Sequence, residues 1–254
     1  MIKKNISKII LDSYLTHKLD VNRFQDYCPN GLQVEGNENI SFIASGVTAS
    51  MDFLKEANLI KADALLVHHG YFWKGDDQRI TGTRKKRIKY LLENNINLFA
   101  YHLPLDVHSE FGNNVQFAKR LGIEIIDKFG KYDLICLGKL ESKFKKVSDL
   151  VNLVENKLQR SPTLIGDTQM PLGKVAWCTG AAQNSFEEAI IKGASVFISG
   201  EISEQTVHLA RESSVAYLSC GHHATERYGV QALGEHIADN FGIKHKFIDI
   251  HNPI

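Results

Sequence analysis

Several things are scarce in this chain of 254 residues, and each scarcity narrows the possibilities. Its four cysteines, Cys28, Cys136, Cys178 and Cys220, form no Cys-x-x-Cys pair, so nothing suggests a thiolate metal clip or a redox dithiol. No window approaches the ~18 consecutive apolar residues that a membrane span needs. Met1 to Ile10 carries lysines but no apolar stretch or small-residue cleavage site, so it does not read as a signal peptide. Charge of either sign is nearly balanced at +1, which argues against a dedicated nucleic-acid or membrane-surface binder. No segment is low-complexity, and no linker is rich in proline, glycine or serine. The expectation is a reduced, soluble, cytoplasmic protein. With 43% hydrophobic residues it has ample material for a core, at the upper edge of one domain or as two small ones.

What the chain has in excess is histidine, eleven in all, and clustered. Helical spacing runs over Ile6–Leu19, Ser50–Lys61, Arg84–Asn94, Asn114–Leu121 (capped by Asn113 and closed by Gly122), Val147–Leu158 and Ala224–Phe241. Strand-like runs occupy Ile40–Val47, Ala62–Val67, Ile96–Tyr101, Val215–Ser219 and His245–Ile250. Asp26 to Gln33, centred on Pro-Asn-Gly, reads as a turn. Strands alternating with helices predict βαβ units and an α/β sheet. The chain also echoes itself: Glu56-Ala57 matches Glu188-Ala189, 132 positions later, within similar strand-helix-strand stretches. On that register His68 falls on Gly200 and His69 on Glu201. The alternative is that all such units look alike.

Three clusters end predicted strands, which is where α/β sheets bind ligands. His68 and His69 precede Gly70. Neighbouring strand residues point to opposite faces, so both reach one site only if the strand has ended and Gly70 lets the chain turn. His102 and Asp106 lie in Tyr-His-Leu-Pro-Leu-Asp, where Pro104 argues against a continuous helix. His222 and Glu226 stand four residues apart on one helical face, with His223 turned elsewhere. Taken singly, the first pair also fits a surface pair or a hydrogen-bonded turn, and Asp106 also fits a loop cap. Together they offer three histidines and two carboxylates, His68, His69, Asp106, His222 and Glu226. These suffice for two divalent metal ions of the Zn, Fe or Mn type if Glu226 bridges. Cys220 stays a minor sulfur alternative. Lys74 to Arg87, polar and then basic, reads as a solvated helix face, the alternative being a lid whose cations meet a phosphate. Trp73 reads as core packing rather than a base-stacking surface.

Six strings carry a resemblance. They are Tyr-x-Pro-Asn-Gly-Leu-Gln-Val-Glu-Gly (27–36), Gly-Val-Thr-Ala-Ser (46–50), Val-His-His-Gly-Tyr-Phe-Trp-Lys-Gly (67–75), His-Leu-Pro-Leu-Asp (102–106), Gly-Glu-x-Ser-Glu-Gln-Thr (200–206) and Gly-His-His-Ala-Thr-Glu-Arg (221–227). In these the chain resembles the NIF-three-like family, also known as type 2 GTP cyclohydrolase I, and most nearly its bacterial YbgI-like members. The resemblance implies two similar α/β lobes, the second inserted in the first. The expected division is a metal-site lobe of 1–125 plus 216–254 and a second lobe of 126–215. It also implies the same five metal ligands, a homohexameric ring, and metal-dependent hydrolysis of a nucleotide or related small molecule, GTP being the family's candidate. His102 is the expected catalytic residue, shuttling a proton or orienting a ligand. The alternative is a non-catalytic metal-binding scaffold or metal-handling protein.

Overall fold

A computed structural model describes residues 4–254; the first three residues of the Met1–Ile10 stretch lie outside the described residues. The chain divides into two mixed α/β units, one running up to Phe111 and resuming over Gly229–His251, the other comprising Gly112–Tyr228 and Asn252–Ile254. Among the described residues no helix is long and apolar enough to cross a membrane.

In the first unit five strands form one sheet, in the order Lys244–Phe247, Phe42–Thr48, Ala64–His69, Asn97–Ala100, Gly31–Val34. The first four are parallel, and Gly31–Val34 closes the edge antiparallel. Alternate side chains serve opposite faces, as a pleated strand requires. Ile43, Leu66 and Phe99 enter one core with Leu11 and Leu15 of helix Lys8–Lys18 and Leu233 and Ile237 of helix His222–Phe241. Ala44, Leu65, Val67 and Leu98 enter the other, with Phe53 and Leu54 of helix Met51–Leu59 and Leu91 of helix Gly82–Glu93. Burying both faces explains why these strands read as continuous apolar runs. Each such large side chain contributes about 1.5–3 kcal/mol.

The second unit holds a six-stranded sheet in the order Glu124–Phe129, Ile135–Lys139, Val175–Trp177, Val196–Ser199, Ala216–Ser219, Thr163–Ile165. Val175–Trp177, Val196–Ser199 and Ala216–Ser219 are parallel to one another, and the flanking pairs are antiparallel. Helices Asn113–Leu121 and Val147–Leu158 cover one face, and Phe186–Ile191 and Glu204–Ser213 the other.

The 132-residue echo holds at the level of register. Ile43 pairs with Ala64 and Val175 with Val196; Ala44 pairs with Leu65 and Ala176 with Phe197. The echo ends after the second strand of each set. Ala64 pairs onward with Asn97, but Val196 pairs with Ala216, reached by a shorter connection.

Three local expectations are corrected. Gly112, not Asn113, is the N-cap of the Asn113–Leu121 helix, and both asparagines are buried within its first turn. Pro104 does not prevent a helix. It stands in the first turn of a short one, Leu103–Val107, where its missing N–H would have no intrahelical partner anyway. The strand does not stop before the histidines: its ladder with Asn97–Ala100 ends at Val67, while that with Phe42–Thr48 continues to His69.

Candidate functional site

The first unit presents a group of histidines at the carboxyl ends of two parallel strands. His68 and His69 close the strand Ala64–His69, and their rings lie 4.7 Å apart between centroids. Gly70 follows because of close packing rather than an unusual turn. A Cβ there would collide with the Gln33 amide and come within 2.6 Å of Ala100 Cβ. Gln33 fastens this corner, accepting from Tyr71 N–H at 2.7 Å and donating to Tyr71 O at 3.2 Å.

Each histidine has one ring nitrogen held. The His68 Nδ1–H donates to Tyr101 O at 2.8 Å, since a carbonyl can only accept. That leaves Nε2 of the neutral ring as an acceptor, and it lies 3.4 Å from Asp106 Oδ1. Two buried acceptors facing each other require a proton or a metal ion between them. His69 Nδ1 meets Thr48 Oγ1 at 3.2 Å. Asp106 is carried by the short Leu103–Val107 helix, whose Asp106 N–H donates to His102 O at 3.1 Å.

His102 adjoins both, its ring 5.1 Å from that of His68 and 6.0 Å from that of His69. Its Nδ1 donates to Asp26 Oδ1 at 2.7 Å, while its backbone N–H donates to Asn30 Oδ1, also at 2.7 Å. Asp26 is buried, and it also accepts from Tyr27 N–H, Asn30 Nδ2 and Leu103 N–H. Burial by itself would raise its pKa. The His102 hydrogen bond and charge, then Asn30 and the Tyr27 amide, outweigh that and hold the carboxyl below its ordinary value. Asp26 was not singled out in the sequence because it precedes the Pro-Asn-Gly turn and its histidine partner lies 76 positions on.

His68, His69 and His102 offer ligand atoms within 4.8 Å of one another, as do Asp26, Cys28 and His102. Burial first, and then the charges of Asp26 and Asp106, push the Cys28 thiol up to about 12, so it stays protonated. Trp73 is not core. It is half-buried, edge-on to His102 at 5.0 Å and 5.9 Å from His69 between ring centroids.

The second unit contributes a His–carboxylate pair at a helix start. Strand Ala216–Ser219 leads through Cys220 and Gly221 into the helix that begins at His222. One turn along that helix, His222 Nε2 and Glu226 Oε2 lie 3.2 Å apart. On the other side, His222 Nδ1 donates to Glu201 Oε1 at 2.7 Å. Glu201 is the echo position of His69, and its partnership with His222 was hidden behind that register match. Burial alone would lower the His222 pKa. Glu226 and then Glu201 reverse this and raise it to about 9. A metal ion at Nε2 therefore displaces a proton.

Two glycines make room for this pair. Gly200, the echo of His68, packs so closely that a Cβ would lie 2.6 Å from His222 Cα and 2.7 Å from Gly180 O. Gly180, at φ +70°, lies directly against the Glu226 carboxylate. Its N–H donates to Thr225 Oγ1 at 3.1 Å, which in turn bonds Gly221 O at 3.0 Å. Cys220 is buried, with its Sγ directed to Leu218 O at 3.9 Å, and among the described residues it falls in none of the groups that could hold a metal ion. His223 follows His222 by one position, about 100° around the helix. His223→Ala is therefore expected to leave metal content unchanged when measured by elemental analysis.

The family model Duf34/NIF3 (NGG1p interacting factor 3) matches residues 5–253. The chain belongs to this family. Among DUF34/NIF3 relatives, the GTP cyclohydrolase 1 type 2 homolog of Pseudomonas aeruginosa is 49% identical over 238 residues, covering 92% of this chain and 94% of that one. The Vibrio cholerae homolog of the same name is 44% identical over 98% of this chain and 100% of its own. The solved structure of protein ybgI superposes with a TM-score of 0.92 at 43% identity, covering 98% of this chain and 100% of that one. A Thermus thermophilus protein does so with 0.84 at 27%, again over 98% and 100%. DUF34/NIF3 membership thus spans both units, and histidine and carboxylate groups that could hold a metal ion are present.

Proposed function

We propose that this chain is a metal-dependent hydrolase of a nucleotide or related small molecule. In this reading it holds two divalent ions, Zn, Fe or Mn, through His68, His69, Asp106, His222 and Glu226. His68 and Asp106 would hold one, His69 and His222 the other, and Glu226 would be shared between them. The observation that carries the reading is the buried His68–Asp106 pair, whose Nε2 and Oδ1 are both acceptors once Nδ1 donates to Tyr101 O. His222, oriented by Glu201 and facing Glu226, supports it by offering a nitrogen and a carboxylate oxygen to an ion that displaces the ring proton. A carboxylate or carbonyl behind a histidine is the usual means of fixing a metal-ligating ring. The mixed nitrogen and oxygen donors suit these metals and do not suit Mg. The names of the two bacterial homologs make GTP the first substrate to try.

Bound ions would supply Lewis acidity toward water and toward a carbonyl or phosphoryl oxygen. This chain's own residues supply the proton handling. His102, with Nδ1–H tied to Asp26, takes up and returns a proton at Nε2, and the Asp26 carboxylate stabilises the imidazolium form. Trp73 walls the histidines on one side and limits water there.

The test is anaerobic purification, metal analysis and a nucleotide screen beginning with GTP. Hydrolysis should vanish with chelation and return with metal. His102→Ala should keep its metals and lose about 10²–10⁴-fold in turnover. Metal retained with no nucleotide turned over would refute the hydrolase and leave a metal-binding scaffold. The family resemblance further supports a hexameric ring. The solution mass is expected near six times the 28.5 kDa of one chain, and a mass of one chain at micromolar concentration, by light scattering, would refute the ring.

A further inference from the structure

Beside the histidines of the first unit lies a cavity of about 360 Å³, inside the range of small-molecule sites. Trp73 forms one wall and is shared with the histidine group, since its ring also abuts His69 and His102. The lining also includes a cationic and hydroxylic group, Arg79, Thr81, Thr83, Arg84 and Arg87. Three arginines face two carboxylates. Asp77 pairs with Arg79 at 2.7 Å and Asp76 with Arg84 at 3.2 Å, so these cations are largely compensated. Arg87 differs. It makes no ion pair among the described residues, and its buried Nε has no hydrogen-bond partner. A cation that lines the cavity with no protein counter-charge is open to an anionic ligand. The helix that carries Arg84 and Arg87, Gly82–Glu93, adds to this. Its first turn has no acidic residue, its N-cap Thr81 makes no side-chain cap bond, and its positive end borders the cavity.

We propose that this cavity is the subsite for the phosphate end of the substrate, with Arg87 and Arg84 binding the phosphate and the Trp73 ring supporting an aromatic body that extends to His69 and His102. The inference rests on the hydrolase reading for its choice of a nucleotide, but the anion subsite is independent of bound metal. A planar guanidinium matches phosphate oxygens in pairs, and an indole face accepts any base. The Lys74–Arg87 stretch is thus more than a solvated helix face.

Binding is measured on the full chain, stripped of metal by chelation, with GTP, guanosine and inorganic phosphate as probes. GTP should bind tighter than guanosine. Arg87→Gln should weaken GTP at least about tenfold, Arg87→Lys should weaken it less, and both should leave guanosine within about twofold. Trp73→Leu should weaken GTP and guanosine alike. Metal uptake by Arg87→Gln should equal that of the parent, which also shows that the variant is folded; if it is not folded, Arg84→Gln provides the same reading. Equal affinity for GTP and guanosine in the parent, or GTP affinity unchanged in folded Arg87→Gln, overturns the subsite. A parent chain that shows Arg87-dependent GTP binding but no metal-dependent hydrolysis overturns the enzyme and keeps the subsite.

Discussion

Glu226→Ala is expected to reduce bound metal from two ions per chain to none. Glu226 is almost wholly buried, lies 3.2 Å from His222 Nε2, and rests against Gly180, where no side chain can follow it. In the proposed centre it serves both ions, so truncation removes a ligand from each. It also removes one of only two anionic ligands facing four positive charges. Asp106→Ala removes a ligand from one ion alone and should leave a partly loaded chain. The comparison separates a bridging role from loss of charge. Two ions retained by Glu226→Ala, in elemental analysis after gel filtration, would exclude the bridge.

The second large effect is expected at a residue that is not itself a ligand. Gly200→Ala places a Cβ 2.6 Å from His222 Cα, a backbone atom that cannot rotate away. Relief requires the start of the His222 helix to move by nearly an ångström, toward ordinary van der Waals separation. That displaces His222 from Glu201 and shifts Glu226 along with the first turn. Overpacking of this kind costs about 1–3 kcal/mol, which for a chain of this size lowers Tm by roughly 2–12 °C. Metal should be lost as well. Ser214→Ala, at a positive-φ position outside the site, controls for general destabilisation. Gly200→Ala with parental Tm and parental metal content would show that the glycine is not needed for close approach.

The elements that could be read from sequence are those whose local chemistry agrees with their packing. The Val147–Leu158 helix matches its prediction because its apolar stripe, Val147, Leu150, Val154 and Leu158, is also what it buries, and Asp149 caps its first turn by accepting from Lys145 and Lys146 N–H. The internal echo was legible for the same reason, since parallel strands buried on both faces leave a strong apolar signature. Gly31–Val34 was read as part of a turn because an edge strand of four residues beginning with a glycine at φ +116° carries little strand signal. Glu124–Phe129 was not read as a strand, because three of its six residues are charged and break the apolar alternation.

Within the site, ligand-type residues stood out because the chain is rich in histidine and these histidines are clustered. Their supports did not. Asp26, Thr48 and Glu201 are ordinary polar residues whose meaning comes from partners 21 to 76 positions away. Trp73 reads as core in a run of three aromatic residues, and its neighbour Tyr71 does lie in the core. Only the turn after Gly70 separates the two, leaving Trp73 against the histidine rings.

The central claim is a two-metal centre with imidazole and carboxylate ligands. X-ray absorption on the anaerobically purified, metal-loaded chain tests it most directly. The account predicts nitrogen and oxygen scatterers including histidine rings, no sulfur, and a metal–metal distance of roughly 3.5–4 Å. A single ion without a metal–metal vector, or a sulfur shell from Cys28, would contradict it.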